Sequence, residues 1–539
     1  MADIERQSYD QTESLSRVDT EETSDHDEPI NTRPSALERF SSVVGDSTMP
    51  DPQAEEDHMS RVSSGPAYSA FSPAMKTWIT VMLSVGSFIS PMTANIYFPA
   101  LNPIAEDLGV SLSLVNLTLT TYMIFQGLAP TLFGDFGDMA GRRPAYIVAF
   151  TIYLFANIGL ALQRNYAALM VLRCVQSFGS SGTIALGFAM VADIAAPSER
   201  GRYIGYLGAG INVGPAIGPF LGGILSQYLG WPSLFWFLAI VVTVWLVPWI
   251  LTVPETCRNV VGNGSTPAQS WNLPVIQYCG KRKSSQEHAE TRKLRFPNPI
   301  RTLAVVFEKE MGLILILNSL LYVGFILTAA TLGTQFKEIY GYNDLQVGLC
   351  YLPYGGGSMM AVIAQGYILD WNYRRIAKKA GITISRRRGD DLRDFPIETA
   401  RLQPIYPAML LGAGALVGYG WALQVETSVA APLVLSFLIG VLVPTSFQTL
   451  NTLIVDIFPK APATATAANN LVRCLVGAAG AAVIELVIKG IGRGWTFTIM
   501  ACLVLICIPG LLFVEKHGPK WRKQKLAKME APASSPREK

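Results

Sequence analysis

Charge is what this chain has least of. Asp, Glu, Lys and Arg make up 15% of its 539 residues, while AVILMFWYC residues make up 50%; an ordinary soluble domain carries roughly 25% charged residues. Apolar runs of twenty or so residues recur along the chain, too many for water-soluble cores to bury. A soluble enzyme, a disordered scaffold and a secreted disulfide domain are thereby excluded. The formal net charge is only +3, so nucleic acid is not an expected partner. Cysteine is sparse as well: Cys174, Cys257, Cys279, Cys350, Cys474, Cys502 and Cys507 lie far apart with no CxxC pair, which leaves no disulfide framework or zinc site. Five of them fall in apolar runs, where a thiol serves as a small packing residue. His26, His58, His288 and His517 all stand in polar stretches, so no metal or other cofactor is expected. No Gly-x-x-x-x-Gly-Lys phosphate cradle occurs, so ATP is not the expected energy source. The acidic amino terminus does not read as a leader, and the first apolar run is expected both to target and to anchor the chain.

What remains is an all-α membrane protein of twelve transmembrane helices in two six-helix pseudo-symmetric bundles. Apolar runs fall near 77–99, 112–133, 146–162, 166–192, 204–226 and 233–253. A second six fall near 312–332, 345–369, 405–424, 430–454, 466–488 and 495–514. Each is about long enough to cross ~30 Å of hydrocarbon. The expected organisation is a disordered acidic tail (1–75), a first bundle (76–253), a central loop (254–311), a second bundle (312–515) with a long loop at 370–404, and a basic tail (516–539). Residues 1–70 hold sixteen acidic residues against five Arg, a composition too polar to bury itself. With both termini placed in the cytosol, that side collects 37 of the 43 Lys and Arg and the opposite side only Arg164, Lys337, Lys489 and Arg493. The positive-inside bias therefore sets the orientation.

A repeat supports six plus six. Gly134, Asp138, Arg142 and Arg143 after the second run recur as Gly366, Asp370, Arg374 and Arg375 after the eighth, at one common offset. Duplicated halves place a solute site between them near the bilayer midplane. At each corner Gly allows close helix approach, Asp pairs with a cation or caps a helix, and the arginines supply charge. Two roles are open to such a corner: a latch that breaks when the halves rock, or a plain topology anchor. Arg173-Cys174 and Arg473-Cys474 break the common offset and are taken as a chance echo.

At this point a family resemblance is carried by four motifs. Gly134-x-x-x-Asp138-x-x-Gly141-Arg142-Arg143 resembles the loop signature of the major facilitator superfamily. Arg173-x-x-Gln176-Ser177 is similar to that superfamily's Arg-x-x-Gln-Gly pattern, with Ser177 where Gly is usual. Gly210, Gly214, Pro215, Gly218, Pro219, Gly222 and Gly223 resemble the antiporter signature, and Pro254-Glu255-Thr256 closes the sixth run as in twelve-span drug:proton antiporters. Asn95–Leu101 and Asp394–Glu398 look like the fungal branch, with its quinidine-resistance-type pumps, citrate exporters and mycotoxin efflux pumps. The resemblance implies a proton-coupled efflux carrier for a small organic molecule, a secondary metabolite, mycotoxin or drug, with an organic acid such as citrate as the alternative. It would be a monomer in the plasma membrane, or else in a vacuolar or vesicle membrane.

The residues add their own logic. Gly210, Gly214, Gly218 and Gly222 recur every fourth position, a smooth stripe for close packing, while Pro215 and Pro219 bend the helix; a tight bend there would seal a leak path between the halves. Arg173 and Arg473 stand inside apolar runs, where a cation costs at least ~2.5–3.5 kcal/mol and needs a partner or a wet cavity. With Asn95, Tyr97, Gln126 and Gln176 they are the expected cavity residues. Glu485 is the single carboxylate well inside a run and the candidate proton carrier, with an i,i+4 bridge to Lys489 as its other reading. Asn116-Leu-Thr118 is a glycosylation sequon at the start of the second run, close to the membrane.

Overall fold

The computed structural model describes residues 68–195, 197–266, 268–276, 303, 305–379, 381, 395–457 and 462–530. Most of the acidic tail, much of the central loop, part of the long loop at 370–404 and the end of the basic tail lie outside the described residues. Among the described residues, twelve helices are long and apolar enough to cross a membrane. They are α1 (Pro73–Asn95), α2 (Leu112–Ala140), α3 (Arg142–Leu162), α4 (Tyr166–Ile194), α5 (Pro197–Leu229) and α6 (Pro232–Thr252) in the first half. The second half holds α7 (Lys309–Tyr340), α8 (Asp344–Lys379), α9 (Ile405–Gln424), α10 (Ala430–Ile457), α11 (Pro462–Ile491) and α12 (Arg493–Glu530).

Local chemistry sets the ends. Ser72 and Asn165 cap α1 and α4 by accepting from the N–H groups of Met75 (3.3 Å) and Ala167 (2.8 Å), which satisfies donors that a helix start leaves free. The expected first run overshoots: α1 stops at Asn95, and a 3₁₀ turn (Phe98–Ala100) and a short helix (Leu101–Asp107) follow. Several other helices outrun the apolar segment that predicted them, and α8 and α12 extend for 36 and 38 residues. Their polar last turns are rich in Lys and Arg, good helix formers, and α12 continues even through Gly518 and Pro519.

The packing repeats with a shift of six helices. Within the first half α1 packs on α5, α2 on α4, and α3 on α4 and α6. Within the second α7 packs on α11, α8 on α10, and α9 on α10 and α12. Two seams join the halves, α2 with α11 and α5 with α8, and each is the other's image under the same shift. The end carrying the Ala140–Arg142 junction is called the corner end below, and its opposite the far end.

Candidate functional site

A cavity of about 150 Å³ lies between the halves, walled by Asn95 of α1, Tyr122 and Gln126 of α2, Asn212 and Pro215 of α5, Tyr322 and Phe325 of α7, Ser358 of α8, Phe447 and Gln448 of α10 and Arg473 of α11. Sites for drug-sized molecules run to about 300–1,000 Å³, so a substrate of that size requires the walls to part. A larger depression, about 490 Å³, sits at the far end among Pro103, Glu106, Ser226 and Trp231 and reaches neither interior arginine.

The far end is sealed by the α5–α8 seam. A Cβ on Gly223 would come within 2.9 Å of Gly348 Cα, and one on Gly355 within 2.5 Å of Ala216 Cα. The two backbones therefore touch where no side chain fits between them. Beyond them Ser226 Oγ donates to Asp344 Oδ2 (2.7 Å) and the Asp344 N–H to Gln227 Oε1 (3.1 Å). Lys337 reaches Glu106 at 3.0 Å, and Phe98 stacks on Tyr351 with ring centroids 6.1 Å apart.

The glycine stripe faces elsewhere. Positions 210, 214, 218 and 222 press on α1, against Ser84, Met92, Asn95 and Ile96. The stripe cements α1 to α5 inside one half, and the seal between the halves falls to Ala216, Pro219 and Gly223 on another face of the same helix. The sealing glycines of α8 were missed in the sequence. Their signal is a shared seven-residue spacing, 216/223 against 348/355, on helices that run antiparallel.

The two interior arginines part company. Arg173, expected in the cavity, is fully buried behind its wall. Its guanidinium carbon lies 4.1 Å from the Tyr97 ring centre and 4.2 Å from that of Tyr122. Nη1 donates to Gln176 Oε1 (2.6 Å), and Gln176 Nε2 to Asn157 Oδ1 (2.7 Å). Two desolvated cation–π faces are worth on the order of 2 kcal/mol each, enough to offset the insertion cost. Tyr97 and Gln176 are thus supports of Arg173, not cavity residues. Arg473 does line the cavity. It lies 4.6 Å from the Tyr322 ring centre and donates from Nη2 to Asn470 Oδ1 (2.7 Å). Asn470 in turn donates to the Gln126 carbonyl across the α2–α11 seam (2.8 Å). Beside it, Asn318, Asn469, Asn451 and Gln448 form an amide chain with links of 2.7–2.8 Å.

At the first-half corner Arg142 bridges Asp138 (2.5 Å) and Asp193 (3.1 Å). Arg143 donates to the carbonyls of Val253 (3.0 Å) and Ile250 (2.8 Å). Glu255, 3% exposed, accepts from the N–H groups of Arg142, Arg143, Thr256 and Cys257 at 2.8–3.1 Å. Burial raises its carboxyl above the usual range, and those four donors pull it back. Burial also pushes the neighbouring Cys257 thiol up to about 11. Gly141, at φ +111°, lies against the Glu255 carboxylate where a side chain would collide. In the second half Gly366, Asp370, Arg374 and Arg375 lie exposed along the unbroken α8, and Arg375 stacks over Trp371 at 5.4 Å. The anchoring ion pairs there are Arg401–Asp456 (2.9 Å) and Arg522–Glu398 (3.5 Å).

Glu485 is buried, pairs with Lys489 at 3.4 Å and does not reach the cavity wall. Asn116 is 6% exposed within α2, so its sequon is closed to a glycosylating enzyme in this conformation.

Comparison with known proteins agrees in kind. The profile of the Major Facilitator Superfamily matches residues 83–481. The chain is 44% identical to MFS-type transporter phiD of Fungal sp. (strain ATCC 74256), over 85% of this chain and 70% of that protein. It is 40% identical to MFS-type transporter clz19 of Cochliobolus lunatus, over 90% and 92%. Citrate exporter 1 of Aspergillus niger is 33% identical over 97% and 99%. Among solved structures, the xylose transporter XylE from E. coli, in a partially occluded inward open conformation, superposes with a TM-score of 0.59 at 14% identity, covering 82% of this chain and 98% of that one. That likeness is one of fold.

Proposed function

This chain belongs to the Major Facilitator Superfamily and is a multi-pass membrane transporter, not an enzyme; from that premise we propose that it exports a small organic molecule by alternating access, coupled to inward movement of protons. The observation that carries this reading is a central cavity whose far end is shut by backbone contact between α5 and α8. The Lys and Arg bias puts the corner end in the cytosol, so the cavity loads from the cell interior. Rocking the halves breaks the Ser226–Asp344 and Lys337–Glu106 links and releases the solute outside. The Asp138–Arg142–Asp193 corner serves as the cytosolic latch, and Glu485, the carboxylate deepest in its helix, is the candidate proton carrier. The cargo is a secondary metabolite, mycotoxin or drug, and the membrane is the plasma membrane. A second reading, export of an organic acid such as citrate, is favoured by one cation in the wall, Arg473, and by the full-length match to a citrate exporter.

The test is efflux of three dyes of different charge from yeast carrying the protein: rhodamine 6G, Nile red and fluorescein. At least one should be retained two- to fivefold less than in control cells, and a protonophore should abolish the difference. Efflux that persists on ATP after the gradient has collapsed, or no difference for any dye, overturns the reading.

A further inference from the structure

The wall of the cavity has a charge signature. Among the described residues that line it, Arg473 is the only ionised side chain, and no carboxylate faces it. The nearest acid on the same helix, Glu485, is three turns further on and is tied to Lys489. A cationic solute would meet an unopposed positive charge with nothing to neutralise it. A trianion would leave two charges unmatched in a low-dielectric space.

Arg473 is prepared to receive an oxygen. Its guanidinium carbon lies 4.6 Å from the Tyr322 ring centre and Nη2 donates to Asn470 Oδ1, while Nε, like Nε and Nη2 of Arg173, has no hydrogen-bond partner. A buried donor without a partner is costly, and an incoming acceptor removes that cost. The neighbouring amide points the same way. Gln448 Oε1 already accepts from Asn451 Nδ2 (2.8 Å), which leaves the Gln448 amide N–H groups for the cavity. Arg473 and Gln448 both line the cavity, and most of the remaining wall is apolar, with Phe325 and Phe447 at ring centroids 5.6 Å apart.

We infer that the solute is an amphipathic monoanion: one carboxylate, or an equally acidic oxygen, bound by Arg473 and Gln448, with an apolar body on the Phe325–Phe447 face. The inference rests on the export reading above and narrows it. It rejects both a cationic drug and citrate as preferred cargo. The planar fork makes Arg473 the residue that sets specificity, since a charge-assisted hydrogen bond is about twice as strong as a neutral one.

The experiment is equilibrium binding to the purified full-length protein at pH 7.5, with no gradient present. The probes are 1-naphthaleneacetate, its neutral amide 1-naphthaleneacetamide, 1-naphthylmethylamine and citrate. The carboxylate should bind about tenfold tighter than any of the other three. In Arg473→Gln the carboxylate and the amide should bind within twofold of each other. Arg473→Lys keeps the charge but not the fork and should keep part of the preference. Gln448→Leu should lower it about threefold, and these two variants decide the matter if Arg473→Gln does not fold. A carboxylate no tighter than its amide, tightest binding by the amine or citrate, no detectable binding of the carboxylate, or an undiminished preference in the variants overturns the inference. Because binding is read without a gradient, loss of dye efflux refutes the coupled-export reading alone, and loss of carboxylate preference refutes the monoanion alone.

Discussion

The two corners of this transporter share letters and differ in structure. In the first half the signature folds at Gly141, whose φ of +111° is open to glycine and strained for any residue with a Cβ. That bend ends α2 and starts α3 with its first N–H groups aimed at Glu255. In the second half Tyr373 stands where Gly141 would be, and α8 runs on to Lys379. Without the bend the second pair of arginines stays on the outer surface of a helix. Their task passes to Arg401, which precedes α9 as Arg142 opens α3 and pairs with Asp456 at the end of α10, as Arg142 pairs with Asp193 at the end of α4. The pseudo-symmetry is kept by position in the fold and not by position in the motif.

The buried glutamates should break the comparison most sharply. Glu255 satisfies four backbone donors, whereas neither oxygen of Glu398 has a hydrogen bond and Arg522 stands 3.5 Å away. Glu255→Ala strands those four donors and should cost about 3–5 kcal/mol, read as the largest fall in melting temperature of the purified protein. Glu398→Ala leaves Arg522 its bond to the Phe395 carbonyl (2.7 Å) and should cost about 1–2 kcal/mol. Equal losses would mean that the four-donor cradle contributes nothing of its own.

Within the first corner the two partners of Arg142 are unequal. The Asp193 side chain is 11% exposed and that of Asp138 50%. Asp193→Asn should destabilise by about 2 kcal/mol, because it leaves a buried cation half-paired. Asp138→Asn should cost less than about 1 kcal/mol, because water screens the pair. Dye efflux lost in Asp138→Asn at nearly unchanged melting temperature would sharpen the latch role. Full efflux would reduce the corner to an anchor.

How far the sequence reached depends on the range of the interaction. The twelve helices were legible because crossing a bilayer requires some twenty apolar residues in a row, and that demand is written locally. The ends were less so: α12 runs through Pro519 and a basic stretch to Glu530. The site was legible in its residue types and not in its contacts. Arg173 and Arg473 have the same neighbour in sequence and the same cost of burial, yet two tyrosines, Tyr97 from the turn after α1 and Tyr122 from α2, close over the first and one tyrosine from α7 leaves the second facing the cavity. No local pattern records which rings arrive from elsewhere in the chain. The glycine stripe is a close-packing face, but its partner, α1, lies more than a hundred residues upstream.

The exposed trio Asp370, Arg374 and Arg375 makes the smallest difference and the most exacting test. If the repeat were a functional duplication, neutralising these three would damage transport as severely as neutralising Asp138 and Arg142. The geometry says otherwise: the trio is exposed on a continuous helix, and exposed charges contribute at most about 0.5 kcal/mol. The triple change Asp370→Asn, Arg374→Gln, Arg375→Gln should therefore leave the melting temperature within about 1 °C and dye efflux within twofold. Its one expected effect is on membrane orientation, since it removes two cations from the side that the positive-inside bias assigns to the cytosol. Cysteine labelling from either side of the membrane reads that directly. Should efflux vanish while orientation and melting temperature hold, the second corner acts in the transport cycle through a conformation in which these side chains find partners.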